Sequence, residues 1–123
     1  MKVLVTGVKG QLGFDVVNEL KKRGHTPIGV DVDDMDITDA VAVEKVITDA
    51  APDAVIHCAA YTAVDKAEDD EALCLRINRD AVRNLGEAAR MAGARVIHVS
   101  TDYVFDGTNH LPYVETDKTC PAS

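Results

Sequence analysis

The chain has 123 residues, of which 46% are hydrophobic and 28% charged, and its formal net charge is −8. This length and composition predict one globular domain, and the negative charge argues against nucleic acid and anionic membranes as partners. We find no signal peptide and no apolar stretch of membrane-spanning length. The three cysteines lack C-x-x-C spacing, which indicates neither a disulfide framework nor a metal site, and the expected compartment is the cytoplasm.

A strand, a glycine-rich turn and a helix are predicted at the start of the chain. Lys2–Val5 is rich in branched apolar residues, as in a buried parallel strand, and Phe14–Arg23 carries apolar residues at helical spacing. Between them, Gly7 allows a sharp turn, Gly10 leaves room for a diphosphate, and Gly13 lets the helix pack closely. The free N–H groups of the helix start favour an anion. This unit predicts a dinucleotide site, and a glycine turn without a ligand is the less favoured alternative.

The second predicted strand, Thr26–Asp31, ends in a carboxylate about 20 residues beyond the glycine turn, where an acid can bind the adenosine ribose hydroxyls. Such a carboxylate should repel a 2′-phosphate, so the sequence weakly favours NADH over NADPH. Asp33, Asp34 and Asp36 leave the choice of acid open. A solvated acid at a strand end is the alternative interpretation of Asp31.

Strands and helices alternate through the rest of the predicted domain. Met35–Ile37 is predicted to form a very short third strand, and a helix runs from Thr38 or Asp39 to about Ala50. The later predicted elements are a strand at Ala54–Cys58, a helix from about Glu68 to Ala92, a strand at Arg95–Val99 and a loop region at Tyr103–Ser123. This alternation predicts an α/β fold, a Rossmann-type doubly wound parallel sheet with strand order 3-2-1-4-5. Asn78 is polar among the apolar positions of the long helix, and an ordinary surface asparagine is its simplest interpretation.

Several segments together resemble one family. They are VTGVKGQLG (Val5–Gly13), CAAYTAVDKAE (Cys58–Glu68), Ile77-Asn78, STDYVFDG (Ser100–Gly107) and LPYVETDKTCPAS (Leu111–Ser123). The chain resembles the extended short-chain dehydrogenase/reductases, and within them the dTDP-4-dehydrorhamnose reductases, over its whole length. The resemblance implies reduction of dTDP-4-dehydro-β-L-rhamnose to dTDP-β-L-rhamnose by NADH or NADPH. It also implies a dTDP-sugar as substrate and a homodimer for the full-length protein.

The resemblance also implies roles for individual residues. The expected cofactor contacts are Gly7, Gly10, Gln11, Leu12, Gly13, Asp31, Asp36, Ile37, Ala60, Tyr61, Thr62 and Val99. Thr101 stands at the position of the family's catalytic Ser/Thr, and Thr101 and Asp102 are expected to contact the substrate. A hydroxyl at this position can donate a hydrogen bond to a ketone oxygen that gains negative charge during reduction.

The chain departs from the family pattern in one respect. The family's proton donor is a Tyr-x-x-x-Lys pair, which would fall shortly after Ser123. Tyr61, Tyr103 and Tyr113 have no Lys four positions on, so none of them replaces it. We therefore expect residues 1–123 to be the N-terminal part of an NAD(P)-binding Rossmann domain, truncated before the later strands and the C-terminal sugar-nucleotide-binding region.

Two further expectations follow from this truncation, and two alternative functions are left open. The isolated chain should be inactive, and it should be prone to aggregation through its exposed fifth strand. Another sugar-nucleotide enzyme, an epimerase or a dehydratase, is an alternative function. A non-catalytic dinucleotide-binding subunit, like the regulatory subunit of methionine adenosyltransferase, is the alternative from another class.

Overall fold

The computed structural model describes residues 1–101 and 103–121. The strands in these ranges are β1 (Lys2–Thr6), β2 (Thr26–Val30), β3 (Ala54–His57) and β4 (Arg95–His98). The α-helices are α1 (Gln11–Lys22), α2 (Ala40–Ala50), α3 (Val64–Asp69), α4 (Glu71–Leu75) and α5 (Ala81–Met91), and a π-helical segment, Arg76–Asp80, joins α4 to α5. No helix within the described ranges is both long enough and apolar enough to cross a membrane.

The strands form one parallel sheet in the order β2-β1-β3-β4. This confirms the predicted α/β doubly wound arrangement for the first, second, fourth and fifth predicted strands. The prediction of a third strand at Met35–Ile37 is wrong, because this segment is not a strand. The N–H groups of Asp34 and Met35 both donate to the carbonyl of Asp31 at 2.9 Å, so the chain turns after β2. Met35 remains buried although its backbone does not extend the sheet.

The side chains of β1 alternate between two hydrophobic cores, one on each face of the sheet. Val3 and Val5 pack on the face covered by α1, together with Ala54. Leu4 lies on the opposite face, in the core that α2 and α5 complete. The residues that share this second core are Val30, Met35, Val43, Ile47, Val55, Leu85, Ala88 and Ala89. The helical spacing of Leu12, Val16, Val17 and Leu20 predicts that all four lie on the inner side of α1, but Leu12 is 47% exposed.

The long helix predicted from Glu68 to Ala92 is divided into shorter pieces. Asp70 interrupts it with φ −134° and ψ 55°, outside the helical region. Its carboxylate accepts a hydrogen bond from the Leu73 N–H at 3.3 Å, so it starts a new helix instead of continuing the first. The spacing of apolar residues in this helix predicts that Leu75, Ala81 and Leu85 are among those that face the sheet. Leu75 is instead 37% exposed, whereas Ala81 and Leu85 are fully buried.

Candidate functional site

The glycine turn begins where β1 ends. Gly7 has φ +68°, in the left-handed region that favours glycine. Its N–H donates to the carbonyl of Val30 at 3.0 Å, which fixes the turn against the end of β2. A Cβ atom at Gly7 would lie 2.8 Å from the backbone of Ala59. The turn therefore requires glycine for its backbone angle and for its close approach to the loop after β3.

Gly10 and Gly13 have different surroundings, and both differ from those of Gly7. A Cβ atom at Gly13 would lie 2.2 Å from the Gly7 carbonyl oxygen, so α1 packs directly against the turn. A Cβ atom at Gly10 would have one neighbour within 4 Å, the Gly7 carbonyl oxygen at 3.3 Å. Gly10 is the N-cap of α1, where no side-chain hydrogen bond from the described residues caps the helix. The backbone N–H groups of this first helical turn are available for an anion.

Asp31 follows β2 and is held beside the glycine turn. Its Oδ2 accepts from the Lys9 N–H and its Oδ1 from the Val32 N–H, each at 2.9 Å. The hydrogen bond from Lys9 lowers the pKa of Asp31, and the Val32 N–H lowers it further, while partial burial acts in the opposite direction. Lys9 Nζ also forms an ion pair with Asp33. Asp31 is therefore a fixed carboxylate at the edge of the turn.

A cavity of about 340 Å³ opens at the carboxyl ends of β1 and β2. It brings together five of the predicted cofactor residues: Gly7, Asp31, Asp36, Ile37 and Ala60. The predicted residues Gly10, Gln11, Leu12, Gly13, Tyr61, Thr62 and Val99 do not line it. Across the cavity from the loop after β2, the wall is formed by Leu73, Arg76 and Ile77. The cavity is thus a slot between the β2–α2 loop and the junction of α4 with the π-helical segment.

Thr38 and Arg76 are site residues that the sequence analysis missed. Asp36 Oδ1 accepts from both the N–H and the hydroxyl of Thr38, at 2.8 and 2.7 Å. Arg76 Nη2 lies 3.2 Å from the same hydroxyl and donates to it across the cavity. The hydroxyl and the N–H of Thr38 lower the pKa of Asp36, with a smaller contribution from the charge of Arg76. Nothing in the spacing of these residues along the sequence indicates this contact.

Asn78 is not an ordinary surface asparagine. Its Oδ1 accepts from the Tyr61 N–H at 2.8 Å and its Nδ2 donates to the Tyr61 carbonyl at 3.0 Å. The side chain thereby replaces a strand partner for the loop after β3, which contains the predicted residues Ala60, Tyr61 and Thr62. Two signals in the sequence pointed to it: its polarity among apolar helix positions and the match of Ile77-Asn78 to the family pattern. Asn78 lies in the π-helical segment, and such segments are frequent at functional sites.

Thr6 holds the base of the cavity together. Its Oγ1 accepts from the N–H groups of Cys58 and Ala59, both at 3.1 Å, and lies 2.7 Å from His57 Nδ1. With two donors directed at it, the hydroxyl gives its own proton to Nδ1, so the imidazole proton of His57 sits on Nε2. No residue in the described ranges pairs with this buried Nε2. Burial, and secondarily His98, whose ring stacks at 5.3 Å, lower the pKa of His57 to about 4.

Thr101 lines a second cavity, of about 520 Å³, in the loop region beyond β4. Its Oγ1 accepts a hydrogen bond from the Tyr103 N–H at 3.3 Å. Phe105 and Tyr113 stack on one another at 3.8 Å between ring centroids and line the same cavity. Asp102, the other predicted substrate contact, lies outside the described residues. Among the described residues, no group of three or more His, Cys, Asp or Glu side chains could hold a metal ion.

A family model described as the RmlD substrate binding domain matches residues 1–123. This chain belongs to the RmlD substrate-binding domain family. The dTDP-4-dehydrorhamnose reductase of Burkholderia thailandensis is 44% identical over 124 residues, which cover 100% of this chain and 41% of that relative. The chain thus spans about two-fifths of the length of this curated relative.

Solved structures of dTDP-4-dehydrorhamnose reductases share the fold described above. The dTDP-4-dehydrorhamnose reductase of Clostridium acetobutylicum superposes with a TM-score of 0.96 at 45% identity, covering 100% of this chain and 44% of that one. The dTDP-4-dehydrorhamnose reductase of Bacillus anthracis, solved in complex with NADP, gives a TM-score of 0.93 at 38% identity and covers 98% and 43%. These likenesses confirm the Rossmann-type fold.

Proposed function

We propose that this chain binds a nicotinamide dinucleotide as the N-terminal part of the NAD(P)-binding domain of a dTDP-4-dehydrorhamnose reductase. The observation that carries the proposal is the cavity at the carboxyl ends of β1 and β2, lined by Gly7, Asp31 and Asp36 together. In open parallel sheets, ligands bind at this edge where the strand order reverses, which here is between β1 and β3. Ala59 and Ala60, which follow β3, also line the cavity, so it extends to this point. The family match over residues 1–123 supports the same proposal.

The diphosphate is proposed to lie against the start of α1, at Gly10, Gln11, Leu12 and Gly13. Two observations support this position. The first helical turn contains no acidic residue and has no side-chain cap from the described chain, so its N–H groups and helix dipole favour an anion. The space beside Gly10 is open except toward Gly7.

The adenosine is proposed to occupy the cavity itself. Asp31 would accept hydrogen bonds from the ribose hydroxyls, and Asp36 and Ile37 would contact the adenine. Ala60, Tyr61, Thr62 and Val99 are proposed to continue the site toward the nicotinamide. The hydrogen bonds that fix Tyr61 to Asn78 support this part of the proposal, because they hold the loop in one position.

The proposed cofactor preference is for NADH over NADPH. The fixed carboxylate of Asp31, with Asp33 and Asp34 close by in sequence, should repel a 2′-phosphate. We expect calorimetric titration to give a lower Kd for NADH than for NADPH, and Asp31→Asn to narrow the difference. Equal or tighter binding of NADPH by the unmodified chain would remove the role proposed for Asp31. The relative from Bacillus anthracis was solved in complex with NADP, so the affinities for NADH and NADPH have to be compared directly on this chain.

The proposed reaction is reduction of dTDP-4-dehydro-β-L-rhamnose to dTDP-β-L-rhamnose, with the dTDP-sugar as substrate and a homodimer for the full-length protein. The nicotinamide supplies the hydride when it is bound. The hydroxyl of Thr101, which lines the second cavity, would donate to the ketone oxygen as its negative charge develops. Asp102 is proposed to contact the substrate beside it.

This chain contains no Tyr-x-x-x-Lys pair that could deliver the proton. None of its tyrosines has a lysine four positions on, and general acid catalysis contributes about 10²–10⁴-fold. We therefore expect no measurable oxidation of NADH when the 123-residue chain is mixed with dTDP-4-dehydrorhamnose. Robust turnover would show that a group within the chain delivers the proton.

A further inference from the structure

Arg76 and Thr38 form a chain of hydrogen bonds that ends on Asp36. Arg76 Nη2 donates to Thr38 Oγ1 at 3.2 Å. Because the hydroxyl accepts from arginine, its single proton is left for Asp36 Oδ1, which lies at 2.7 Å. The Thr38 N–H donates to the same carboxylate oxygen at 2.8 Å. Both donors of Thr38 are thus used on one oxygen, and the arginine fixes the direction of the hydroxyl.

This arrangement leaves the second carboxylate oxygen of Asp36 for a ligand. Among residues 1–101 and 103–121, no hydrogen bond uses Asp36 Oδ2. An ionised carboxylate only accepts hydrogen bonds, and Asp36 lines the cavity together with Ile37 and Arg76. The group that suits Oδ2 is therefore a donor, such as the exocyclic amine of a purine. A keto oxygen in the same place would be repelled.

We propose that Arg76 is a positioning residue which, through Thr38, orients Asp36 to select a 6-aminopurine over a 6-oxopurine. The inference rests on the proposed function, since it assumes that the dinucleotide's base enters this cavity. It goes beyond that function because it assigns specificity to two residues on opposite walls. Arg76 stands at the start of the π-helical segment, and its contact with Thr38 joins that segment to the β2–α2 loop.

The test compares two dinucleotides that differ only in the base. NADH carries adenine, and reduced nicotinamide hypoxanthine dinucleotide carries an oxygen in place of the amine. For the unmodified chain, we expect calorimetry to give a Kd for the hypoxanthine dinucleotide at least about tenfold higher than the Kd for NADH, as for a hydrogen bond to a charged group. Arg76→Met and Thr38→Val should reduce this ratio of the two Kd values several-fold. Both substitutions should change the Kd for the hypoxanthine dinucleotide itself by less than about twofold. Thr38→Ser, unlike Thr38→Val, should keep the ratio of the unmodified chain, because serine keeps the hydroxyl.

Arg79→Met is the matched control. Arg79 lies in the same segment, but it pairs with Asp80 at 2.8 Å and does not line the cavity. We expect Arg79→Met to leave the ratio unchanged. An unchanged ratio in Arg76→Met, or a parallel loss of affinity for both dinucleotides, would overturn the positioning role while the proposed function stood. Failure of the unmodified chain to bind either dinucleotide would overturn the proposed function itself.

Discussion

At the scale of single residues, the glycines of the first turn show most clearly how a residue type in the sequence shapes the site. Gly13 and Gly86 both lie within helices, yet their surroundings differ. A Cβ atom at Gly13 would meet the Gly7 carbonyl oxygen at 2.2 Å, and a Cβ atom at Gly86 would meet no described atom within 4 Å. Close packing is therefore a property of Gly13 and not of helical glycines in this fold.

We expect Gly13→Ala to destabilise the chain and Gly86→Ala to leave it unchanged or more stable. The alanine at position 13 has to displace α1 or the turn, at a cost of about 1–3 kcal/mol. The alanine at position 86 should gain about 1 kcal/mol from helix propensity. Urea denaturation followed by circular dichroism measures both free energies of unfolding. Equal stabilities for the two variants would contradict the packing assigned to Gly13.

The glycine spacing and the acid after β2 could be read from the sequence because each depends on local backbone requirements. Gly7, Gly13 and Asp31 each stand where a turn, a close approach or a strand end needs that residue type. Arg76 and Thr38 are 38 positions apart in the chain. Their contact depends on how the π-helical segment packs against the β2–α2 loop, and no local pattern encodes that packing.

At the scale of elements, the sequence predicts strands and helices well where the hydrophobic period is simple. The four described strands and α2 lie close to their predicted bounds. The prediction of a third strand was wrong because hydrogen bonds to the backbone carbonyl of Asp31 turn the chain there. Met35 is nevertheless apolar and buried, as a strand residue would be. The long helix was divided because the side chain of Asp70 caps a new helix start. At Asp70 the side chain supplies a local partner that competes with the regular backbone pattern, whereas after β2 the partner is the backbone carbonyl of Asp31.

His57 joins β1, β3 and β4, and its burial predicts a pH-dependent stability. Its pKa falls from 6.5 to about 4 in the folded chain, so the unfolded chain binds more protons between these values. Stability is therefore retained above pH 6.5 and lost as the pH falls toward 4, by on the order of 3 kcal/mol. Denaturation curves between pH 7 and 5 measure this slope, above the range in which carboxylates are protonated.

His57→Asn should flatten the slope, since it removes the titrating group. His110, an exposed histidine of the loop region, provides the control, because His110→Asn should keep the slope. A slope that persists in His57→Asn would assign the pH dependence to another group.

At the scale of the whole molecule, β4 is an exposed edge strand of the sheet. All of its residues are exposed, and Ile97 is 54% and Val96 38% accessible to solvent. An edge strand with apolar side chains and unpaired backbone groups favours association. We expect sedimentation velocity to show concentration-dependent self-association of the 123-residue chain.

Ile97→Glu should reduce this association, because a charge on an edge strand opposes pairing. Val41→Glu adds the same charge at another exposed apolar position, on α2, and should have little effect. A monomeric chain at high concentration, or equal effects of the two substitutions, would contradict the role of β4.

Binding of NADH at the glycine turn is the central claim, and Gly10 gives its most direct test. The backbone angles at Gly10, φ −82° and ψ 164°, are open to any residue, and a Cβ atom there has one close neighbour at 3.3 Å. Gly10→Val should therefore fold, with its larger side chain filling the space proposed for the diphosphate. The measurement is calorimetric titration of NADH into both chains, after thermal melting has shown that both are folded. Saturable binding to one site in the unmodified chain and none in Gly10→Val is the predicted result, and equal binding by the two would contradict it.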